Sequence, residues 1–136
     1  MKELLEKYPK AAKVVHAYYL EKLLNSLNDR GLDEEFKEHV REQGLPIEQI
    51  VSLMEVNPIA LVDVFTEHNI FITIIFHKEK VVPKLFELVG LLTYDYYIYC
   101  PKLSNLEETG DMKRINRKDA EQDGIEAAFK LLESEL

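Results

Sequence analysis

Cysteine, glycine and proline are all scarce in this chain, and their scarcity excludes several kinds of protein. Cys100 is the only cysteine among 136 residues, so an intramolecular disulfide is impossible. Five glycines and five prolines are too few for a low-complexity chain. Because 46% of the residues are hydrophobic, a chain of this length can bury a core without a disulfide or a bound metal. We therefore expect a single domain over residues 1–136.

Long hydrophobic runs are also missing. The longest run, residues 70–76, contains Thr73 and is far shorter than the roughly 20 apolar residues that span a bilayer. Residues 1–7 carry acidic side chains early and contain no continuous apolar segment, which is not typical of a signal peptide. We expect a soluble, cytoplasmic protein with no membrane partner.

The excess charge is acidic and evenly spread. The net charge is −8, with 8 basic and 13 acidic residues in positions 1–69, and 9 basic and 12 acidic residues in positions 70–136. Such a surface repels phosphate backbones, which disfavours nonspecific binding to DNA or RNA. We expect no nucleic-acid partner. Imitation of nucleic acid by the acidic helical half is a weaker alternative.

Motifs for catalysis, metals and phosphates are absent from the sequence. The four serines lie outside any nucleophile elbow, and the five glycines stand alone instead of forming a phosphate-binding loop. Glu35 and His39 are four residues apart, but one carboxylate and one imidazole do not make a metal site. We predict no catalytic residue, no metal and no cofactor. This favours a noncatalytic protein and leaves open an enzyme without a recognisable motif.

Helical periodicity dominates residues 1–69. Apolar residues recur every three or four positions, and the breaks between these stretches predict about four helices. Pro9 either begins the first helix or kinks it, because proline suits the first turn of a helix. Asn57 and Pro58 separate the third helix from the fourth, and Asn69 can adopt the left-handed conformation that ends the fourth.

The second of these helices has clear end signals. Asp33 is a good N-cap, and Gly44 is a good left-handed C-terminal residue. Between them, Phe36 and Val40 lie four residues apart on one helical face. We expect both side chains to face the core.

Two runs typical of strands follow the helical half. Residues 70–76 are almost all β-branched or aromatic, and residues 93–100 alternate tyrosines with other side chains. Residues 77–80 are predicted to form a polar turn. Residues 81–92 favour a short helix over 83–90; alternatively, Val81–Val82 and Leu91–Leu92 extend both strands into one long hairpin.

The rest of the chain is predicted to be a loop and one helix. Residues 101–115 show no periodicity and are predicted to be a loop, and Asn116 can cap a helix within 116–136. Residues 117–134 of this helix carry an apolar stripe that we expect to pack on the sheet: Ala120, Ile125, Ala128, Phe129 and Leu132. The predicted fold class is α+β, with an N-terminal helical half, a small sheet and a covering C-terminal helix.

Tyrosine is concentrated in the second strand. Alternation places Tyr94, Tyr96, Ile98 and Cys100 on one face, and Asp95, Tyr97 and Tyr99 on the other, half-exposed face. Tyrosine is enriched at interfaces because its ring is buried while its hydroxyl finds a polar partner. We predict an interface that includes the strand tyrosines and the helical pair Tyr18 and Tyr19, with Asp95 at its wet rim.

A small-molecule pocket is the alternative site. His77 and Cys100 would lie close together if the two strands are neighbours, and a pocket between sheet and helices would hold them. A packed thiol and a solvated turn histidine explain the same residues without any function.

The two ends of the chain carry a resemblance. Residues 4–11 and residues 117–133 resemble segments of small hypothetical proteins from bacteriophages and mobile elements of gut bacteria. Such proteins have no assigned activity, so the resemblance implies a cytoplasmic accessory role and no site residues. We therefore expect a noncatalytic interaction protein that binds a protein partner or a second copy of itself. A small-molecule binder or motif-less enzyme is the alternative.

Overall fold

The computed structural model has an α+β fold, as the sequence predicts. Within the described residues it contains six helices and one three-stranded sheet. The helices are α1 (Lys2–Lys7), α2 (Pro9–Asn28), α3 (Glu34–Gln43), α4 (Ile47–Val56), α5 (Pro58–Glu67) and α6 (Arg117–Glu135). The strands are β1 (Phe71–Lys80), β2 (Gly90–Cys100) and β3 (Leu106–Thr109).

The structure describes residues 1–28, 31, 33–80, 90–102, 106–110, 113–114 and 116–136, with the backbone alone for 77–80, 90–92 and 106–108. It divides into two compact units, residues 1–67 with 133–136, and residues 68–132. The prediction of a single domain stays a prediction.

Helix α2 is the centre of the first unit, where it contacts α1, α4 and α5. The chain breaks at Tyr8, whose φ of −124° and ψ of 76° end α1, and Pro9 begins α2. This break explains why the helical half contains five helices where the sequence predicts about four. Along the buried side of α2 lie Ala11, Val15, Tyr19, Leu20 and Leu24.

The helix ends predicted for residues 33–69 are confirmed. The Asp33 carboxylate accepts a hydrogen bond of 2.7 Å from the Phe36 amide, which caps α3. Gly44 ends α3 with φ 70°, a conformation that costs glycine little. Asn69 has φ 60° just before β1, as the sequence predicts.

The inward face of α3 was predicted wrongly. Phe36 is 47% exposed and Val40 is half-buried, whereas Lys37 is buried and its Nζ donates to Glu34 at 2.8 Å. The helix has a strongly polar sequence, EEFKEHVREQ, so a few apolar positions do not determine which side packs. A lysine can be buried in this way because its methylenes leave water while its ammonium group stays on a carboxylate.

The start of α2 is capped from the other end of the chain. The Glu133 carboxylate accepts hydrogen bonds of 2.8 Å from both the Lys10 and Ala11 amides. An anion at a helix N-terminus satisfies amides that the helix itself leaves unpaired. The end of α6 is therefore part of the first unit.

The sheet of the second unit is longer than the sequence predicts. Strands β1 and β2 are antiparallel, with Phe71 opposite Tyr99 and Lys80 opposite Gly90. Residues 77–80 are therefore strand and not a turn, and Leu91–Leu92 lie in β2 as the hairpin alternative requires. The predicted helix over 83–90 lies outside the described residues except for Gly90, which begins β2.

The predicted loop over 101–115 contains the third strand. Strand β3 pairs with β2 from Thr109 opposite Tyr97 to Leu106 opposite Cys100. Beyond it, Arg114 and Tyr94 exchange backbone hydrogen bonds of 2.6 and 2.7 Å. The sequence LEET shows no alternation of apolar and polar residues. Its strand conformation therefore comes from pairing with β2 and not from local preference.

Helix α6 packs on the sheet at a glycine. A Cβ on Gly124 would lie 3.0 Å from Tyr96 Cβ and 3.2 Å from Ile72 Cγ2, so glycine allows the backbone to approach. Ala120, Ala128, Phe129 and Leu132 are buried as predicted, and Ile125 is half-buried. The apolar stripe predicted from the sequence does not include Gly124, because glycine has no hydrophobic side chain.

Two phenylalanines test this packing as a matched pair. Phe129 is fully buried, so Phe129→Ala should lower the free energy of unfolding by about 3–5 kcal/mol. Phe36→Ala removes an exposed ring and should change it by at most about 0.5 kcal/mol. Chemical denaturation of both variants measures the difference. Equal unfolding midpoints would show that α6 is not docked through Phe129.

Candidate protein-binding surface

The register of the sheet separates its side chains into two faces. Residues directly opposite each other in an antiparallel pair share a face. The pairs Phe71–Tyr99, Thr73–Tyr97 and Tyr97–Thr109 therefore lie on one side, and Ile72–Ile98 and Ile74–Tyr96 on the other. We call the first side the open face; its exposed or half-buried members are Phe71, Thr73, Ile75, Tyr97, Tyr99 and Thr109.

Aromatic stacking organises the open face. The Phe71 and Tyr99 rings have centroids 6.2 Å apart and planes inclined by 27°, and Phe71 remains 40% exposed. With Thr73 and Tyr97 they line a shallow depression of about 360 Å³. An exposed aromatic pair beside a shallow depression presents apolar area and hydroxyl groups together.

The described side chains of this face carry little charge. Among its described side chains the only ionisable group with a formal charge at pH 7 is Asp95, which is only 8% exposed. The Asp95 carboxylate accepts a hydrogen bond of 2.7 Å from the Tyr96 amide, and Gly110 lies directly against it. The expectation that Asp95 lies at a wet rim is therefore wrong. The segment beyond β3, which the sequence analysis assigned to a loop, brings Gly110 to the carboxylate.

The other two strand tyrosines lie on the opposite face. Tyr94 and Tyr96 are half-buried, and Tyr96 Cβ is next to Gly124 of α6. The structure therefore brings together only Tyr97 and Tyr99 of the four predicted strand tyrosines. It adds Phe71 and Thr73, which the sequence could not assign because the β1–β2 register was unknown.

The helical tyrosines belong to the first unit and are already engaged there. The Tyr18 hydroxyl donates to Asp63 at 3.4 Å, while Lys22 Nζ lies 3.2 Å from Asp63 and 5.2 Å from the centre of the Tyr18 ring. Tyr19 is buried, and its hydroxyl donates to the Asn57 carbonyl at 2.9 Å. These contacts give Tyr19 a structural role in joining α2 to the end of α4.

The alternative pocket is not assembled. His77 is opposite Thr93, whereas Cys100 is seven residues farther along β2 and opposite Leu106 of β3. At about 3.3 Å per residue, the backbone at these two positions is more than 20 Å apart. Cys100 is buried. A reaction that needs both side chains at one substrate atom is incompatible with this register.

The described part of the chain lacks two further kinds of feature, a metal site and a membrane-spanning helix. It contains no group of three or more His, Cys, Asp or Glu residues that could hold a metal ion. Among its helices, none is long and apolar enough to cross a membrane alone. Helices α4 and α5 together have the length and composition of a membrane span, but they are bent by 99° relative to each other.

Comparison of the chain with protein-family models, curated proteins and solved structures finds no match. The resemblance to phage and mobile-element proteins therefore stays a prediction.

Tyr19 should make stability sensitive to alkaline pH. Burial, with a smaller effect of Tyr18 and Asp63, raises the pKa of Tyr19 from 10.0 to about 12. The folded state holds this proton more tightly, so the stabilisation is complete below pH 10 and is lost as the pH rises towards 12. Denaturation across this range should show a shallower loss of stability in Tyr19→Phe than in wild type. Parallel curves would contradict this role of the hydroxyl.

Proposed function

We propose that this chain is a noncatalytic protein that binds another protein through the open face. The observation that carries the proposal is the exposed Phe71–Tyr99 stack, with Tyr97 and Thr73 beside it in a depression without an exposed charged side chain among its lining residues. The centres of protein interfaces are rich in aromatic side chains and poor in charged ones. The described side chains of the open face have this composition.

The shape of the surface favours a protein over a small ligand. A small-molecule site encloses most of its ligand between walls. The depression on the open face is shallow and lined by four side chains from two adjacent strands. Such a surface supports contact with a broad partner better than enclosure of a small molecule.

The distribution of charge narrows the chemistry of the partner. Residues 68–132 carry 9 basic and 10 acidic residues, whereas residues 1–67 with 133–136 carry 8 basic and 15 acidic residues. The open face belongs to the nearly neutral unit, so aromatic and hydroxyl contacts, not long-range attraction, would select its partner. The proposal includes the cytoplasmic accessory role expected from the sequence, with a protein and not a nucleic acid or membrane as partner.

Paired variants test the proposal. Tyr97→Ala/Tyr99→Ala removes two rings of the open face, and Phe36→Ala removes an exposed ring from α3 in the other unit. Affinity capture from cells that encode the chain would supply candidate partners, and calorimetric titration of each purified candidate would measure binding. Loss of interface anchors worth about 2 kcal/mol or more would weaken binding about thirtyfold or more.

The Phe36→Ala control shows whether a loss of binding in the double variant comes from the open face. Phe36→Ala should bind each true partner as tightly as wild type, and both variants should keep wild-type helical content and unfolding cooperativity. A partner that binds the double variant with unchanged affinity would refute the open face as its binding surface.

A further inference from the structure

The two edges of the sheet are built differently. The strand order β1-β2-β3 leaves β1 and β3 at the edges. Strand β3 has four residues, including Glu107 and Glu108, so this edge is short and acidic. Strand β1 has ten residues, and its first six contain no charge, proline or glycine. Short strands and charges protect natural sheet edges from pairing, whereas long apolar edges invite it.

Within the described part of the chain, the outer edge of β1 over residues 71–76 therefore lacks these protections. Among the described residues, β2 is the only strand that pairs with β1. An edge strand leaves half of its backbone amides and carbonyls directed away from the sheet, where an extended segment can pair with them. The side chains along this edge determine which segment fits.

The sequence of β1 fits itself. In an antiparallel pair related by a two-fold axis at Thr73, Thr73 lies opposite the partner's Thr73, and Phe71 lies opposite the partner's Ile75. On the other face, Ile72 lies opposite the partner's Ile74. Thr–Thr pairs and pairs of aromatic with β-branched residues are favourable cross-strand neighbours. A symmetric dimer requires such self-complementarity, because the same surface of each copy must contact the other copy.

Other registers are worse. Moving the axis to Ile74 places Phe71 opposite the partner's His77. Moving it to Ile75 places Phe71 opposite the partner's Glu79 and Ile72 opposite the partner's Lys78. An axis midway between two residues would turn one sheet over relative to the other, because paired residues share a face. Of the axes at Thr73, Ile74 and Ile75, only the first places each apolar residue of 71–75 opposite another apolar residue and keeps His77–Lys80 beyond the paired segment.

We propose that two copies of this chain associate through the outer edges of their β1 strands, antiparallel and with the two-fold axis at Thr73. The pairing would make one continuous sheet of six strands, with both open faces on the same side. This inference goes beyond the proposed function, because it depends on the backbone edge of β1 and not on the rings of β2.

Charge at the axis tests the proposal. Thr73 is exposed, so Thr73→Lys and Thr73→Glu should fold, but each would place like charges opposite each other across the axis. Light scattering of wild type should give twice the 15.9 kDa mass of one chain. Each variant alone should dimerise at least tenfold more weakly, and an equal mixture of the two should recover the dimer.

Thr109→Lys is the matched control, because Thr109 is an exposed threonine on the opposite edge of the same sheet. It should dimerise as wild type does. A wild type that is monomeric at all accessible concentrations overturns the proposal. A Thr73→Lys protein as dimeric as wild type, or a mixture that does not recover, overturns the pairing at Thr73.

A disulfide measures the register directly. Opposite residues of antiparallel strands have Cα atoms about 4.5–5.5 Å apart, which suits a disulfide. Thr73→Cys should form a covalent dimer under mild oxidation, while Thr109→Cys should not. Equal crosslinking of the two variants would contradict the register. Tyr97 and Tyr99 are unchanged in these variants. A negative result here would therefore overturn the β1 dimer without bearing on the proposed partner binding through the open face.

Discussion

The pairing of β1 with β2 is the constraint on which the candidate surface depends. Phe71 opposite Tyr99 and Thr73 opposite Tyr97 bring four side chains from distant sequence positions onto one face. A slip of one residue would exchange the two faces and move Ile72 and Ile74 to solvent. The opposite side limits such a slip, because Ile72 and Tyr96 approach Gly124 of α6 so closely that a Cβ there would lie 3.0–3.2 Å from them. The close packing on one face thus fixes the register, and the register determines which side chains lie on the open face.

The backbone and the side chains of this sheet offer two separate means of association. The open face presents rings and hydroxyls from β1 and β2, and the proposed partner protein would contact those groups. The outer edge of β1 presents backbone amides and carbonyls, and the proposed second copy would pair with them. Strand β3 makes this division possible, because its four residues cover β2 and end the sheet with acidic positions that discourage further pairing.

Local signals predicted most of the helices and some of the sheet. Asp33, Gly44 and Asn69 act through their own backbone neighbourhood, so their positions could be read from the sequence. The alternation in β2 likewise placed Tyr97 and Tyr99 on one half-exposed face. Strand β3 could not be predicted in this way, because LEET becomes a strand only by pairing with β2. Its omission led to a further error: Asp95 was expected at a wet rim, whereas Gly110 lies against its carboxylate.

One-sided pairing of β1 is the central claim, and residue-resolved amide hydrogen exchange tests it most directly. In dilute solution, where any dimer dissociates, successive amides from Phe71 to Phe76 should alternate between slow exchange, where they donate to β2, and fast exchange, where they point outward. Equal protection of successive amides in that segment would contradict the claim. Uniformly slow exchange would mean that the chain covers both edges of β1, and uniformly fast exchange would mean that β1 is not paired with β2.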